Sequence, residues 1–238
     1  MPCPTLIFLP GFMGRACNFD KLRSELSDYE SIGVEIPTAD SWQENIQILA
    51  DTTPHHSVLI GYSMGARLAL GTALLANNKS IGLVLISGNP GLESDSQRKQ
   101  RWQADQQWAQ RLESEDKAVF LQDWYKQAVF SHTPTAIRSD EVSRKLTYAS
   151  DTWSKVMRVN SIAKQPNYWP TIKNLNMPVL TAAGEADEKY AKIAARFTQK
   201  SQSPLSRFKI FTECGHIVHR EQPKKLADAI RNYLSCLR

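Results

Sequence analysis

The stretch VLIGYSMGARLALGTALL, from Val58 to Leu75, joins a short apolar run to a helical pattern through a serine flanked by glycines. The apolar run predicts a buried strand, and the small and apolar residues after Gly65 predict a helix. Between them, GYSMG (61–65) has the Gly-x-Ser-x-Gly spacing of a nucleophile elbow, a strained turn that raises a serine oxygen above a sheet edge. Glycines are needed on both sides because strand and helix approach closely there. Ser63 is therefore the candidate nucleophile.

Apolar runs and helical patterns alternate along much of the remaining chain. Further strands are predicted at 5–9, 31–36, 81–87, 178–183 and 207–212, and helices at 20–26, 41–51, 190–199 and 223–234. Ser41 has the side chain of an N-cap for the second of these helices. Strands that are apolar on both faces and alternate with helices indicate an α/β protein with a mostly parallel sheet flanked by helices.

The segment from 91 to 170 differs from the rest of the chain. It shows no convincing buried strand, and it carries tryptophan and tyrosine at the spacing of amphipathic helices, as in WQADQQWAQRLESEDKAVFLQDWY (102–125). A chain of 238 residues is better explained as one large domain with an insertion than as two independent domains. We predict a core formed by 1–90 and 171–238 and a helical cap, or lid, formed by 91–170.

Composition and charge argue against several classes of function. The net charge is +5, but 29 Lys and Arg are spread along the chain beside 24 Asp and Glu, so no nucleic-acid footprint stands out. The four cysteines have no CxxC or metal-ligand spacing, which is typical of thiols in a reducing compartment. The N-terminal apolar run is too short for a signal peptide or a membrane span. We expect a cytoplasmic protein without metal or other cofactor, nucleic-acid partner or membrane partner.

Ser63 needs an imidazole to take its proton and a carboxylate to hold that imidazole in place. Asp187 follows the strand predicted at 178–183, and His216 follows the last predicted strand. Because the carboxyl ends of parallel strands meet at one sheet edge, we expect all three side chains to lie together. The chain order Ser, Asp, His is that of the α/β-hydrolases.

Other carboxylates and imidazoles compete for the two supporting roles. The rivals are Glu185, Glu188, His55, His56, His132 and His219. Asp187 is preferred to its neighbours because it stands three residues after Gly184, the usual place for the acid of such a triad. Two of the rival histidines precede the elbow strand and one lies in the predicted cap. His219 either lines the pocket or only packs against it.

An oxyanion hole requires backbone N–H groups that point at one place. In this fold class one comes from the residue after the serine, here Met64, and the other from the loop after the first strand. That loop is GFMG (11–14), in which Phe12 is the expected donor.

Arg67 is a cation in the otherwise apolar helix ARLALGTALLA (66–76), one turn past Ser63. It either extends its charge to solvent at a rim or points into the pocket to bind a substrate carboxylate. Helical periodicity alone favours neither interpretation.

These residues resemble a known family, the 2-succinyl-6-hydroxy-2,4-cyclohexadiene-1-carboxylate synthases (MenH type), which are α/β-hydrolase-fold lyases of menaquinone biosynthesis. The motifs that carry the resemblance are FLPGFMG (8–14), GYSMGARLAL (61–70), ISGNPGLES (86–94), FLQDWYKQAVF (120–130), GEADEKY (184–190) and CGHIVHREQP (214–223). They span almost the whole chain in the right order. Gly-x-Ser-x-Gly and Gly-His occur in many α/β-hydrolases, whereas NPGL, WY-x-Q-x-VF and GHxxHRExP are more specific.

The resemblance implies an elimination rather than a hydrolysis. The family releases pyruvate from 2-succinyl-5-enolpyruvyl-6-hydroxy-3-cyclohexene-1-carboxylate, a small anion with three carboxylates. Ser63, primed by His216 and Asp187, would act as the base, and the amides of Phe12 and Met64 would hold the charge that develops on the succinyl ketone. The resemblance further implies substrate-binding roles for Tyr62, Arg67, Arg101, Trp124 and Tyr125. A further cap arginine of the family has no clean counterpart; the candidates are Arg98, Arg144 and Arg158.

Two other functions are compatible with the triad. The first is a serine carboxylesterase or thioesterase of the same fold, in which Ser63 is acylated. The second is a hydrolase-fold protein that only binds a ligand. An anion-binding arginine would distinguish the lyase from the esterase, because a neutral ester gains nothing from a buried guanidinium. An intact triad with an oxyanion loop argues against a binding module.

Overall fold

Six strands form a single sheet in the computed structural model, which describes residues 3–237. The strands are β1 (Thr5–Leu9), β2 (Ser31–Gly33), β3 (Ser57–Tyr62), β4 (Ser80–Ile86), β5 (Val179–Gly184) and β6 (Arg207–Phe211). Their order across the sheet is β2-β1-β3-β4-β5-β6, and each neighbouring pair is parallel. The predicted α/β class with a parallel sheet is confirmed.

Helices cover the sheet and fill the long interval between β4 and β5. The α-helices are α1 (Asp20–Glu25), α2 (Trp42–Thr52), α3 (Met64–Ala73), α4 (Asp95–Ser114), α5 (Lys117–Trp124), α6 (Thr135–Leu146), α7 (Trp153–Val159), α8 (Glu188–Lys200), α9 (Val218–Glu221) and α10 (Pro223–Ser235). Short 3-10 helices lie at Ala16–Phe19, Ala128–Phe130 and Trp169–Asn174. We call α4–α7 the inserted helices. No helix within residues 3–237 is long and apolar enough to cross a membrane.

Both faces of the sheet are buried, as the continuous apolar strands predict. Along β1, Leu6 and Phe8 belong to one core cluster, whereas Ile7 and Leu9 belong to the cluster on the opposite face. This alternation follows from the period-2 geometry of a strand. The sheet is therefore a fixed platform between two apolar layers, and the loops at its carboxyl edge are free to carry polar side chains.

The sequence predicted most elements to within one or two residues. Ser41 is the N-cap of α2, and its hydroxyl oxygen accepts a hydrogen bond from the amide of Glu44. The strand predicted at 31–36 is shorter than expected and ends at Gly33. The amide of Val34 still donates to the carbonyl of Phe8. The next residue after β1 that would have to donate is Pro10, which has no N–H. The ladder therefore stops there.

Candidate active site

Ser63 lies in a strained turn between β3 and α3. Its backbone has φ 50° and ψ −108°, a conformation that L-residues rarely adopt. The flanking glycines are required by space, since a Cβ on Gly61 would lie 2.4 Å from the carbonyl oxygen of Gly65, and a Cβ on Gly65 would lie 2.2 Å from that of Leu9. The amide of Ser63 donates to the carbonyl of Ile86 at the end of β4. This turn has the geometry that the sequence predicted for a nucleophile elbow.

The three predicted triad residues meet at the carboxyl edge of the sheet. His216 Nε2 lies 3.4 Å from Ser63 Oγ, and His216 Nδ1 lies 2.5 Å from Asp187 Oδ2. Asp187 and His216 are both buried, whereas the rival carboxylates Glu185 and Glu188 are exposed. Asp187 places the proton of the imidazole on Nδ1, which leaves Nε2 free to accept the proton of Ser63.

The other histidines occupy different places. His55 and His132 are exposed, and His56 lies at the opposite end of β3 from Ser63. His219 is buried between the rings of Phe19 and Tyr62, at centroid distances of 4.7 and 4.4 Å. Burial lowers the pKa of His219 to about 3, so this imidazole is neutral. His219 both packs in the core and borders a small cavity beside Ser63.

The amides of Phe12 and Met64 are available as oxyanion donors. Within residues 3–237 neither amide donates a hydrogen bond to the chain itself. Met64 is the first residue of α3, where backbone N–H groups have no intrahelical acceptor. Phe12 lies in a turn closed by a hydrogen bond from the amide of Gly14 to the carbonyl of Gly11. Both donors therefore fit the predicted role.

A cavity of about 550 Å³ opens beside Ser63, within the size range of small-molecule sites. Phe12, Met64 and Trp124 line it, together with polar residues from the inserted helices. The cationic residues that line it are Arg67, Arg101, Lys189 and Arg196. Its acidic lining residues are Glu93, which is ion-paired with Arg196, and Asp105, which is ion-paired with Arg101.

Arg67 is the most buried of these cations, with 9% of its surface exposed. Its Nη1 donates to Gln165 Oε1 at 3.0 Å and its Nη2 donates to the carbonyl of Asn160 at 2.8 Å. The guanidinium also lies 5.5 Å from the centre of the Trp42 ring. Burial, and next the charge of Arg101, lower the pKa of Arg67 to about 10, which still leaves it protonated at neutral pH. Because both hydrogen-bond partners of this buried charge are neutral, an anion in the cavity would supply the opposite charge that it lacks.

Arg101 and Lys189 add charge nearer the opening of the cavity. Arg101 Nε lies 2.8 Å from Asp105 Oδ1, and its side chain is about half exposed. Lys189, in the first turn of α8, forms no ion pair among the described residues. Its side chain is exposed at the rim, and partial loss of solvation, followed by the charge of Arg101, lowers its pKa. The sequence reasoning missed Lys189, although its position two residues after Asp187 was a usable signal.

The predicted aromatic residues line two cavities beside Ser63, and Trp124 lines both of them. Trp124 packs on Phe12, with ring centroids 5.1 Å apart, and borders the main cavity. Tyr62 and Tyr125 border only the second, small cavity, which Ser63 also lines, and the hydroxyl of Tyr125 donates to Glu141 there. Lys145, also missed by the sequence reasoning, lies there in a buried ion pair with Glu141 at 2.6 Å.

The three candidates for a further substrate-binding arginine are all engaged elsewhere. Arg98 donates to the carbonyls of Leu92 and Gln165, Arg144 pairs with Asp140, and Arg158 pairs with Glu113. Neither cavity beside Ser63 is lined by any of them. The additional cations at those cavities are instead Lys145, Lys189 and Arg196.

A larger cavity of about 690 Å³ lies elsewhere, near the carboxyl end of α3 and the 3-10 helix Trp169–Asn174. Its lining includes Leu74, Asn78, Tyr168 and Met177, and among residues 3–237 no charged side chain lines it. It contains none of the triad residues. The cavity of about 550 Å³ beside Ser63 is the one where several chemical groups converge, so size alone does not identify the site.

The chain is 28% identical over 243 aligned positions to a 2-succinyl-6-hydroxy-2,4-cyclohexadiene-1-carboxylate synthase of Enterobacter sp. (strain 638), covering 97% of this chain and 92% of the relative. It is 29% identical over 245 positions to the protein of the same name from Yersinia pseudotuberculosis serotype O:1b (strain IP 31758), covering 98% and 88%.

Solved structures show the same architecture. MenH from S. aureus superposes with a TM-score of 0.89 at 25% identity, covering 98% of this chain and 94% of that chain. A thermophilic esterase from Thermogutta terrifontis superposes with a TM-score of 0.76 at 19% identity, covering 98% and 90%, which shows a shared fold. The alpha/beta hydrolase family model matches residues 6–229. With nearly its whole length matched, the chain belongs to the alpha/beta hydrolase family.

Proposed function

We propose that this protein is a carbon–oxygen lyase of menaquinone biosynthesis. It converts 2-succinyl-5-enolpyruvyl-6-hydroxy-3-cyclohexene-1-carboxylate to 2-succinyl-6-hydroxy-2,4-cyclohexadiene-1-carboxylate and pyruvate. The observation that carries this proposal is Arg67, a buried guanidinium with neutral hydrogen-bond partners on the wall of the cavity that holds Ser63. The names of the Enterobacter and Yersinia relatives, each aligned over nearly the whole chain, agree with it.

The triad supplies the base. His216 Nε2 takes the proton of Ser63 Oγ as Ser63 removes the ring proton next to the succinyl ketone. Asp187 stabilises the imidazolium that forms. Electrons from the broken C–H bond form a new ring double bond, the existing double bond shifts, and the C–O bond to the enolpyruvyl group breaks. The released enolpyruvate takes up a proton and becomes pyruvate.

The oxyanion donors act on the ketone. As the ring proton leaves, negative charge develops on the succinyl ketone oxygen, and the amides of Phe12 and Met64 donate to it. These donors have no other acceptor among the described residues, so they need no rearrangement before the reaction.

The cations hold the substrate. Arg67 binds one carboxylate deep in the cavity, and Arg101 binds a second nearer its opening, with Trp124 against the ring. Tyr62 and Tyr125 border the adjoining small cavity and complete the substrate pocket. In this proposal 91–170 form the cap over a core of 1–90 and 171–238; residues 1, 2 and 238 of those ranges lie outside the described part of the chain.

Each of the two alternatives leaves one feature of the site unexplained. An esterase acting on neutral substrates would bury this charge without using it, and a binding module would not need the strained Ser63 turn. The cytoplasmic location that the cysteine pattern indicates remains a prediction.

Pyruvate release tests the proposal. The enolpyruvyl substrate, prepared with the preceding enzyme of the pathway, is added to the purified protein, and pyruvate is measured with lactate dehydrogenase. p-Nitrophenyl acetate is assayed beside it. We expect saturable pyruvate release with ester cleavage slower by orders of magnitude. Fast ester cleavage without pyruvate would establish the esterase instead, and inactivity toward both would favour a binding module.

A further inference from the structure

His216 lies on an irregular piece of backbone. The residues from 212 to 217 connect β6 to α9 and belong to no helix or strand. Backbone amides in such a stretch need acceptors from elsewhere, because a buried N–H without a partner is costly. How the chain supplies these acceptors decides where the imidazole sits.

Glu221 supplies acceptors for the amides on both sides of His216. Its Oε2 accepts from the amide of Gly215 at 2.6 Å, and its Oε1 accepts from the amide of Ile217 at 3.0 Å. The carbonyl of His216 itself accepts from Ser87 Oγ at 3.0 Å. One carboxylate thus spans the catalytic histidine and fixes the residues before and after it.

The same carboxylate also reaches the segment between α5 and α6. Thr133 Oγ1, a buried hydroxyl, donates to Glu221 Oε1 at 3.2 Å. Phe130, three residues earlier, packs edge-on against the imidazole of His216 with centroids 5.7 Å apart. Next to Glu221 on α9, Arg220 forms an ion pair with Asp140 on α6. Glu221 therefore lies where the histidine loop meets the inserted part of the chain.

We propose that Glu221 is the positioning residue of this site: it sets the place of His216 relative to Ser63 and Asp187 and joins that setting to the inserted segment through Thr133. Glu221 lines neither cavity beside Ser63, so it acts through the histidine. The effect on turnover rests on the proposed lyase function, whereas the effect on the His216–Asp187 hydrogen bond does not.

The chemistry of a carboxylate explains the residue type. Both oxygens of an ionised carboxylate accept hydrogen bonds, and here they receive three donors. A glutamine would present an NH₂ group to one of the two backbone amides, donor against donor. An aspartate would keep both acceptors but is shorter by one methylene. Either change should shift His216 slightly from its place beside Ser63 and Asp187, without removing any triad atom.

Glu221→Gln tests the proposal, with Glu213→Gln as the matched control, since Glu213 is an exposed glutamate of the same loop. Three quantities are measured: kcat and KM for pyruvate release, the low-field ¹H NMR signal of the His216 Nδ1 proton shared with Asp187, and Tm. We expect kcat to fall about 10- to 100-fold with KM within about twofold of wild type. The low-field signal should broaden or vanish, while Glu213→Gln behaves as wild type.

Two results would overturn the proposal. One is wild-type kcat with an intact low-field signal in Glu221→Gln; the other is an equal loss in Glu213→Gln. If Glu221→Gln does not fold, Glu221→Asp replaces it, and wild-type kcat and signal in that variant contradict the proposal equally. If the wild type releases no pyruvate, the lyase function fails, but the NMR comparison still decides whether Glu221 positions His216.

Discussion

Ser63, Asp187 and His216 each follow a strand of the sheet, whereas Arg101 and Trp124 lie on helices inserted between β4 and β5. The first group is placed by the hydrogen-bonded register of β3, β5 and β6. The second group is placed by side-chain contacts, those of Arg101 with Asp105 and of Trp124 with Phe12. In the proposed function, the sheet edge carries chemistry common to many enzymes of this fold, whereas Arg67 on α3 and residues of the inserted helices select the substrate.

The largest loss of activity is expected from a substitution at the sheet edge. Ser63→Ala removes the hydroxyl that abstracts the ring proton and leaves the binding cations in place. We expect kcat for pyruvate release to fall at least about 10³-fold, by comparison with triad knockouts in hydrolases. KM should change little. A kcat within tenfold of wild type would mean that another group is the base.

The next effect concerns the buried cation of the binding region. Arg67→Ala removes the guanidinium held by Gln165 and Asn160, and we expect kcat/KM for pyruvate release to fall by about 2–5 kcal/mol. Arg158→Ala is the control, because that arginine pairs with Glu113 and lines neither cavity beside Ser63. An unchanged kcat/KM in Arg67→Ala would place this arginine outside substrate binding.

Arg101 should contribute less than Arg67. Its side chain is half exposed and already paired with Asp105, so solvent screens its interaction with a substrate carboxylate. We expect Arg101→Ala to lower kcat/KM by roughly fivefold at low salt and by less as the ionic strength rises. Steady-state kinetics at two salt concentrations measure this. A loss as large as that of Arg67→Ala, insensitive to salt, would contradict the assignment.

The smallest expected effect on activity, and a clear one on stability, comes from His219. Below pH 6.5 the unfolded chain takes up a proton that the buried His219 does not accept until its pKa of about 3, so stability falls as the pH drops through this window. His219→Phe keeps a ring against Phe19 and Tyr62 and abolishes the titration. Between pH 7 and pH 4.5 we expect the free energy of unfolding of His219→Phe to fall by roughly 2 kcal/mol less than that of wild type.

Thermal unfolding followed by circular dichroism at the two pH values measures this difference. His132→Gln, at an exposed position, is the control and should show the wild-type dependence. Equal pH dependence in wild type and His219→Phe would mean that His219 is protonated in the folded protein.

The two regions also differ in how far the sequence predicts them. The Ser63 turn, Asp187 and His216 follow from local spacing, because motif, strand and loop are contiguous in the chain. Arg67 and Gln165 are 98 residues apart, and no periodicity connects them. Lys145 is unpredicted for the same reason, because only the packed chain brings it to the small cavity beside Ser63, whereas Lys189 could be predicted from its position two residues after Asp187. Likewise, β2 ends early because of Pro10, which follows the neighbouring strand β1 and is far from β2 in the sequence.

The most direct test of the separate roles of Ser63 and Arg67 compares two reactions in three proteins: pyruvate release and p-nitrophenyl acetate cleavage by wild type, Ser63→Ala and Arg67→Ala. Ser63→Ala should lose both activities, because both need the sheet-edge serine. Arg67→Ala should lose pyruvate release and retain whatever ester cleavage the wild type has, because a neutral ester does not use the guanidinium. Equal loss of both activities in Arg67→Ala, or wild-type pyruvate release in that variant, would contradict the division between a chemical sheet edge and a selective anion site.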